Sequence, residues 1–361
     1  MLNYYQPFLL PFLRLTQYSM PHGIKRRYFI SFEDALWNVF ASRKFPKGAV
    51  ILMPDFYCMD VVENIRAHGY TPILYPVDKH FQIQKNSLER FRKKYTPHAM
   101  VFFHACGIRN TLLSDRSYIR SISKKMLIIE DAVHMLLNPE EIDLVSDTHI
   151  VVDSLRKTSP LPGSFLYGTP KAIDSVKSPY THEYVYLCYT FVLFMLFRFV
   201  FVAGILSRSD LLIRFAHTKI LKKHDDVIGD SRAGHEGIWF IPFIHSFIHF
   251  QKIEQIKRNQ AERYTHTLQK PYGTNDNRYT IRIPEKDFGS LHVYPVGYRI
   301  SQSVSHDTIN SVFEKREFPI WTKFPDCPWS KRYAVVFLPL GFHVEYNEID
   351  IVCRLINSCR P

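Results

Sequence analysis

Between residues 28 and 170, short unbroken apolar runs alternate with segments whose apolar positions recur at helical spacing. Thr71–Val77 reads as a strand, and the runs Gly48–Met53, Ala99–His104, Met126–Glu130 and Ile150–Asp153 lack the in–out alternation of a half-exposed strand. They read as strands buried on both faces. Ala35–Ala41, Val61–His68 and Leu88–Tyr95 read as helices, the second stopped by Gly69. This rhythm predicts an α/β fold with an open, mostly parallel central sheet. Ligands of such sheets sit at the carboxyl ends of the strands. The polar residues just past the runs are therefore the first functional candidates: Asp55 to Cys58, His104, Asp131 and Ser154 to Lys157.

The pattern then changes. Residues 184–206 are apolar except for Arg198, and the length meets the roughly 20 residues of a membrane span. Three readings stay open: a helix buried in a core, a helix lying in a membrane interface flanked by Lys177, Arg208 and Arg214, or a true span. A helix at Leu211–Lys223, a polar loop at Asp225–Gly237 and one long helix over Pro242–Leu268 follow. From about residue 278 the pattern becomes α+β. Strands are expected at Tyr279–Ile283, Val293–Gly297 and Val335–Leu338, with helices at His306–Glu314 and Glu345–Ile356. The expected domains are an arm over 1–27, a large α/β domain over 28–240 and a smaller α+β domain over 241–361.

Charge and composition narrow the chemistry. The chain of 361 residues carries +12, which suits anionic partners such as phosphorylated substrates or anionic lipid. The cations are spread along the chain, so no nucleic-acid partner is expected. Six cysteines without a CxxC pair fit a reduced cytoplasm and no structural zinc finger. His245 and His249 have helical metal-ligand spacing, but the segment is apolar and lacks an acidic third ligand, so no metal site is expected. The apolar opening, broken by Pro7 and Pro11, reads as no signal peptide and as an extended arm crossing a partner subunit. No GxSxG elbow or P-loop motif occurs.

Asp131 closes one apolar run and Lys157 follows the next. An aldehyde cofactor needs such a pair: a lysine for its Schiff base and a carboxylate to keep its ring nitrogen protonated. In this sequence Val50–Asp78, His104-Ala-Cys-Gly107, Glu130-Asp131-Ala132-Val133-His134, Ser154-Leu-Arg-Lys157 with Pro160 and Gly163, Arg258–Leu268 and Phe337-Leu-Pro-Leu340 follow one another in order. With them the chain, from about residue 28 to 356, resembles the DegT-type sugar aminotransferases. These are fold-type-I enzymes dependent on pyridoxal 5'-phosphate (PLP).

The resemblance implies a PLP-dependent transferase fold of type I and a homodimer. It also implies a keto-sugar acceptor, nucleotide-linked, with glutamate as donor, in surface polysaccharide or secondary-metabolite biosynthesis. Lys157 would be the Schiff-base lysine and proton carrier, and Asp131 would hold the pyridinium proton. His134 would contact the cofactor ring and Ser154 its phosphate. Tyr57, or its neighbours Phe56 or Cys58, would cover the ring, and His104 would line the same cavity. His134, Phe56 and Tyr57 can equally be packing residues of the core.

The stretch from Ser31 departs from the family. Ser31-Phe32-Glu33-Asp34-Ala35-Leu36 stands where relatives have Ser-Gly-Thr-x-Ala-Leu around the phosphate. A second function therefore stays open: a fold relative that binds PLP weakly or not at all and acts as a membrane-associated binding protein.

Overall fold

The computed structural model describes residues 12–176, 184–229, 235–268, 277–314, 321–341 and 343–358. Its first half alternates strands and helices in the order β1 (Lys25–Phe29), α1 (Phe32–Arg43), β2 (Val50–Pro54), α2 (Met59–Ala67), β3 (Thr71–Tyr75), α3 (Lys85–Tyr95), β4 (Ala99–Phe103), α4 (Arg116–Ser123) and β5 (Leu127–Asp131). Then come β6 (His149–Val152), the one-turn α5 (Leu155–Thr158), β7 (Ser164–Gly168) and α6 (Pro170–Ser175). Helices α7 (Tyr184–Leu206), α8 (Asp210–Phe215), α9 (Lys222–Gly229), α10 (Phe240–His245) and α11 (Phe250–Leu268) follow. The chain ends with β8 (Arg278–Tyr279), β9 (Val293–Arg299), α12 (His306–Glu314), β10 (Tyr333–Pro339) and α13 (Tyr346–Ser358).

Seven strands form the central sheet in the order β1-β7-β6-β5-β4-β2-β3. β3, β2, β4 and β5 pair in parallel, whereas β7 runs antiparallel to both β6 and β1. Every residue of β4 is buried, as the unbroken apolar run demands of a strand covered on both faces. α13 turns Ile349, Val352, Cys353 and Ile356 inward at helical spacing. Each such aliphatic side chain contributes about 1.5–3 kcal/mol when fully buried.

By compactness the chain forms two units, each of two stretches. One holds the described residues up to Phe45 together with Leu137–Phe250; the other holds Pro46–Leu136 and the chain from Gln251 onward. The second contains β2 to β5 and the antiparallel sheet β10-β9-β8.

Three expectations are corrected. The stretch from Asp225 to Gly229 is the end of α9, not loop; residues 230–234 lie outside the described residues. The strand expected at Tyr279–Ile283 is only the two-residue β8. The long helix expected over Pro242–Leu268 is broken between α10 and α11. Its backbone there bonds to the chain's own start: Arg14 N–H donates to Phe247 O at 2.8 Å, Tyr18 N–H to Ser246 O at 2.8 Å and His249 N–H to Phe12 O at 2.6 Å. Pairing with an extended segment takes the groups that a continuous helix would use. Residues 12–18 are thus bonded in cis; residues 1–11 of the expected arm lie outside the described residues.

Helix α7 is not wholly buried. Phe197 and Phe201 pack with Ile213, Ala216, Ile220 and Leu221 on one side, while Val192 and Phe199 on the other face outward. Val185–Leu206 is long and apolar enough to cross a membrane by length and composition.

Candidate active site

At the end of β5 the strand alternation sends Glu130 and Asp131 to opposite faces. Asp131 is buried. It accepts the hydroxyl of Tyr57 and, at 3.0 Å, the backbone N–H of Val133. Both partners donate to the carboxylate. His134 lies in an aromatic cage. Its ring is parallel to Phe324 at 5.8 Å, 4.9 Å from Phe103 and edge-on to Phe337 at 5.7 Å. Gly107 passes close behind it: a Cβ there would stand 2.9 Å from His134 O and 2.5 Å from Ser290 O, so only glycine fits.

His104 takes a different place from the one expected. Its Nε2 lies 3.1 Å from Glu130 Oε2, and its Nδ1 accepts the N–H of Asn110 at 3.3 Å. It therefore serves the Glu130 face and not the Asp131 face. Phe56 packs among Phe81, Trp329 and Phe324 at 4.6, 4.8 and 5.2 Å, which is a core position. Asp55 accepts the N–H of Val77 at 2.9 Å and the Arg332 guanidinium at 2.6 Å, tying loops together at the end of β2. Of the residues singled out in this unit, Tyr57, Asp131 and His134 share one strand end; Tyr57 and His134 both touch Phe103.

In the other unit, Lys157 sits half-buried on α5 just past β6. The turn is closed by Leu155 N–H donating to Gly163 O at 2.9 Å, with Gly163 at φ +87°. Ser154 starts α5 without spending its side chain on a cap bond. Two clamps fix the flanks of Lys157. Arg156 donates from Nη1 to both carboxylate oxygens of Asp225, at 2.8 and 2.9 Å. Arg198 of α7 donates to Ser159 O at 2.9 Å and Arg156 O at 3.4 Å.

Ser31 is occupied. It caps α1 by accepting Asp34 N–H at 3.0 Å, and its hydroxyl donates to the Asp34 carboxylate. Asp34 also accepts the N–H of His235 at 2.9 Å and is fully buried. A carboxylate thus fills the anion-favouring start of α1.

Sequence reading missed three buried charges. Asp153 accepts Phe165 N–H at 2.6 Å and Tyr167 OH at 3.2 Å, and burial pushes its carboxyl up to about 7. Lys257 donates to Leu291 O at 3.0 Å, and burial pulls its amine down to about 7. Arg198 was visible as the lone charge of 184–206, but its inward turn was not. The others carried no signal, because an acid at a strand end and a lysine in a charged helix are ordinary surface patterns.

No family model and no curated protein matches the sequence. Solved structures do match the fold. DesV from S. venezuelae, in complex with a ketimine intermediate, is 12% identical with a TM-score of 0.60, covering 92% of this chain and 84% of that one. The fold is that of the fold-type-I aminotransferases. NtdA from Bacillus subtilis, with bound cofactor PMP, is 14% identical (TM-score 0.58; 92% and 72% covered). A DegT DnrJ EryC1 StrS aminotransferase from Brucella abortus is 13% identical (TM-score 0.56; 94% and 87% covered).

The residues fit PLP in part. A buried carboxylate already accepting a hydroxyl suits a protonated ring nitrogen, and a lysine on a clamped turn suits a Schiff base. The start of α1 does not suit a phosphate, because Asp34 and Glu33 would repel it.

Proposed function

We propose that this chain is a PLP-dependent aminotransferase of the DegT type. Its acceptor is a nucleotide-linked keto-sugar and its amino donor glutamate, in surface polysaccharide or secondary-metabolite biosynthesis. It works as a cytoplasmic homodimer. The observation that carries this is Asp131: a buried carboxylate, accepting two donors, at the carboxyl end of a parallel strand in an aminotransferase fold. Support comes separately from each unit.

Bound PLP supplies the electron sink for moving a proton between two carbons. Asp131 would hold the proton of the ring nitrogen, on the carboxylate that the Tyr57 hydroxyl now meets. The Lys157 amine would be the base that holds the moving proton, and the two arginine clamps hold its turn in register. His134 offers a flat ring to the cofactor. Ser154 binds the phosphate, with help from the partner subunit, since Ser31 is committed to Asp34. The surplus of cations draws in a diphosphate-linked substrate. The boundaries at residues 27 and 240 belong to this proposal and are tested by limited proteolysis.

The absorption spectrum with added PLP tests the reading. The wild type should develop a visible band that borohydride bleaches, and Lys157→Ala should lack it and lose at least about 1,000-fold in transamination. The filled start of α1 favours the second reading, a relative that binds PLP weakly and acts by binding. No band at saturating PLP would establish that reading instead.

A further inference from the structure

The aminotransferase reading leaves the outward face of α7 unused. That face is apolar along the length of the helix. Val192 is 60% exposed and Phe199 75% exposed. It carries no charge, because Arg198, the helix's only one, turns inward to Ser159 and Arg156. Its neighbours also expose large apolar side chains. Leu211 on α8 is 78% exposed and Trp239, at the start of α10, is 84% exposed. Phe240 of α10 stands edge-on to Phe191 of α7 at 5.7 Å. Soluble monomers rarely expose an apolar face this long.

The charge beside it names the occupant. Between Leu206 and Lys223 there are five cations and one acid. Arg208, Arg214, Lys219, Lys222 and Lys223 are all exposed. An apolar face with an exposed tryptophan, bordered by lysine and arginine, is the chemistry of a helix lying in the interface of an anionic bilayer. A second copy of this chain fits less well, since an isologous contact repeats the same patch and would bring these cations near their own counterparts. A span fits less well too. One side of α7 is packed on α8 and the following turn, which leaves a single face for lipid.

We infer that α7, α8 and the start of α10 form a docking surface for an anionic membrane, with α7 lying on the bilayer. The inference stands apart from PLP chemistry. Through Arg198, the docked helix is bonded to the turn that carries Lys157.

The test is co-sedimentation of the full PLP-loaded chain with phosphatidylcholine vesicles, with and without phosphatidylglycerol. The chain should pellet on the anionic vesicles, at least tenfold less on neutral ones, and be released by about 1 M salt. Phe199→Glu and the pair Lys222→Glu/Lys223→Glu should each weaken binding at least tenfold, because each cation near an anionic surface contributes roughly a factor of five. Lys93→Glu/Lys94→Glu on α3, with the same change in net charge, should bind as the wild type does. The lysine pair keeps the test open if Phe199→Glu misfolds. Failure to pellet at low salt overturns the inference, and a dimer broken by Phe199→Glu would then assign the face to a second copy. Release only by detergent overturns it in favour of a span. The readout is binding, so loss of activity alone leaves it standing.

Discussion

The end of β5 and helix α7 both set polar groups among aromatic rings, yet they resolve the cost of doing so differently. At β5, Asp131 and His134 are both buried. Tyr57 and Val133 satisfy the carboxylate, and Phe103, Phe324 and Phe337 wall in the imidazole. In α7, Arg198 is buried too, but the helix that carries it is covered on one side only. Phe194 and Phe197 lie against its guanidinium at 4.9 and 5.3 Å, and two carbonyls take its N–H groups. The opposite side of the same helix is bare hydrocarbon. Similar aromatic composition thus makes a closed polar site in one region and a one-sided sheet of apolar surface in the other. What differs is the number of covering layers: β5 lies inside a sheet, whereas α7 has protein on one face.

Changes at the two buried charges probe this contrast most strongly. Asp131→Asn should lower transamination at least about 100-fold, because an amide no longer favours the protonated ring; steady-state rates at saturating PLP check it. Arg198→Ala should act on stability instead. It should lower the unfolding free energy by about 3 kcal/mol, since two carbonyls lose a charged donor, measured by urea unfolding. A larger loss of activity than of stability there would make Arg198 a positioning residue for the lysine turn.

The buried ionisable groups sharpen the contrast through pH. Asp153 has a folded value of about 7 against an ordinary 3.8, so the folded state holds its proton longer. Its contribution falls as pH rises from about 4 to about 7. Lys257 has a folded value of about 7 against an ordinary 10.5, so the folded state releases its proton earlier. Its contribution rises from about pH 7 to about 10. Stability should therefore dip near neutrality. Asp153→Asn should flatten the acid arm and Lys257→Met the alkaline arm in denaturation curves taken across pH. The smallest effect is expected at the start of α1. Glu33→Gln removes one acid from a helix N-terminus and should tighten PLP binding about threefold, read from the visible band.

Much of the strand–helix order was legible because a doubly covered strand must be an unbroken apolar run. That held for β2, β4 and β5. β1 and β7 escaped because Lys25-Arg26-Arg27 and a serine–glycine-bounded run do not look like strands. Their pairing with each other makes them so. The long helix expected from Pro242 failed because its break comes from residues 12–18, more than 200 positions away. The positions of Asp131 and Lys157 just past their runs were legible in the sequence. The diversion of His104 to Glu130 and of Phe56 into the core depended on which face each residue met.

The sequence alone therefore determined which segments could be buried and where chemistry-bearing residues follow a strand, since both depend on local order and period. The tertiary structure alone decided which of those residues meet. It set Tyr57 on Asp131, filled the start of α1 with Asp34, turned Arg198 inward and left the outer face of α7 bare. The reason is physical: a buried polar group takes whichever partner the packing brings within reach, and that partner can lie anywhere along the chain.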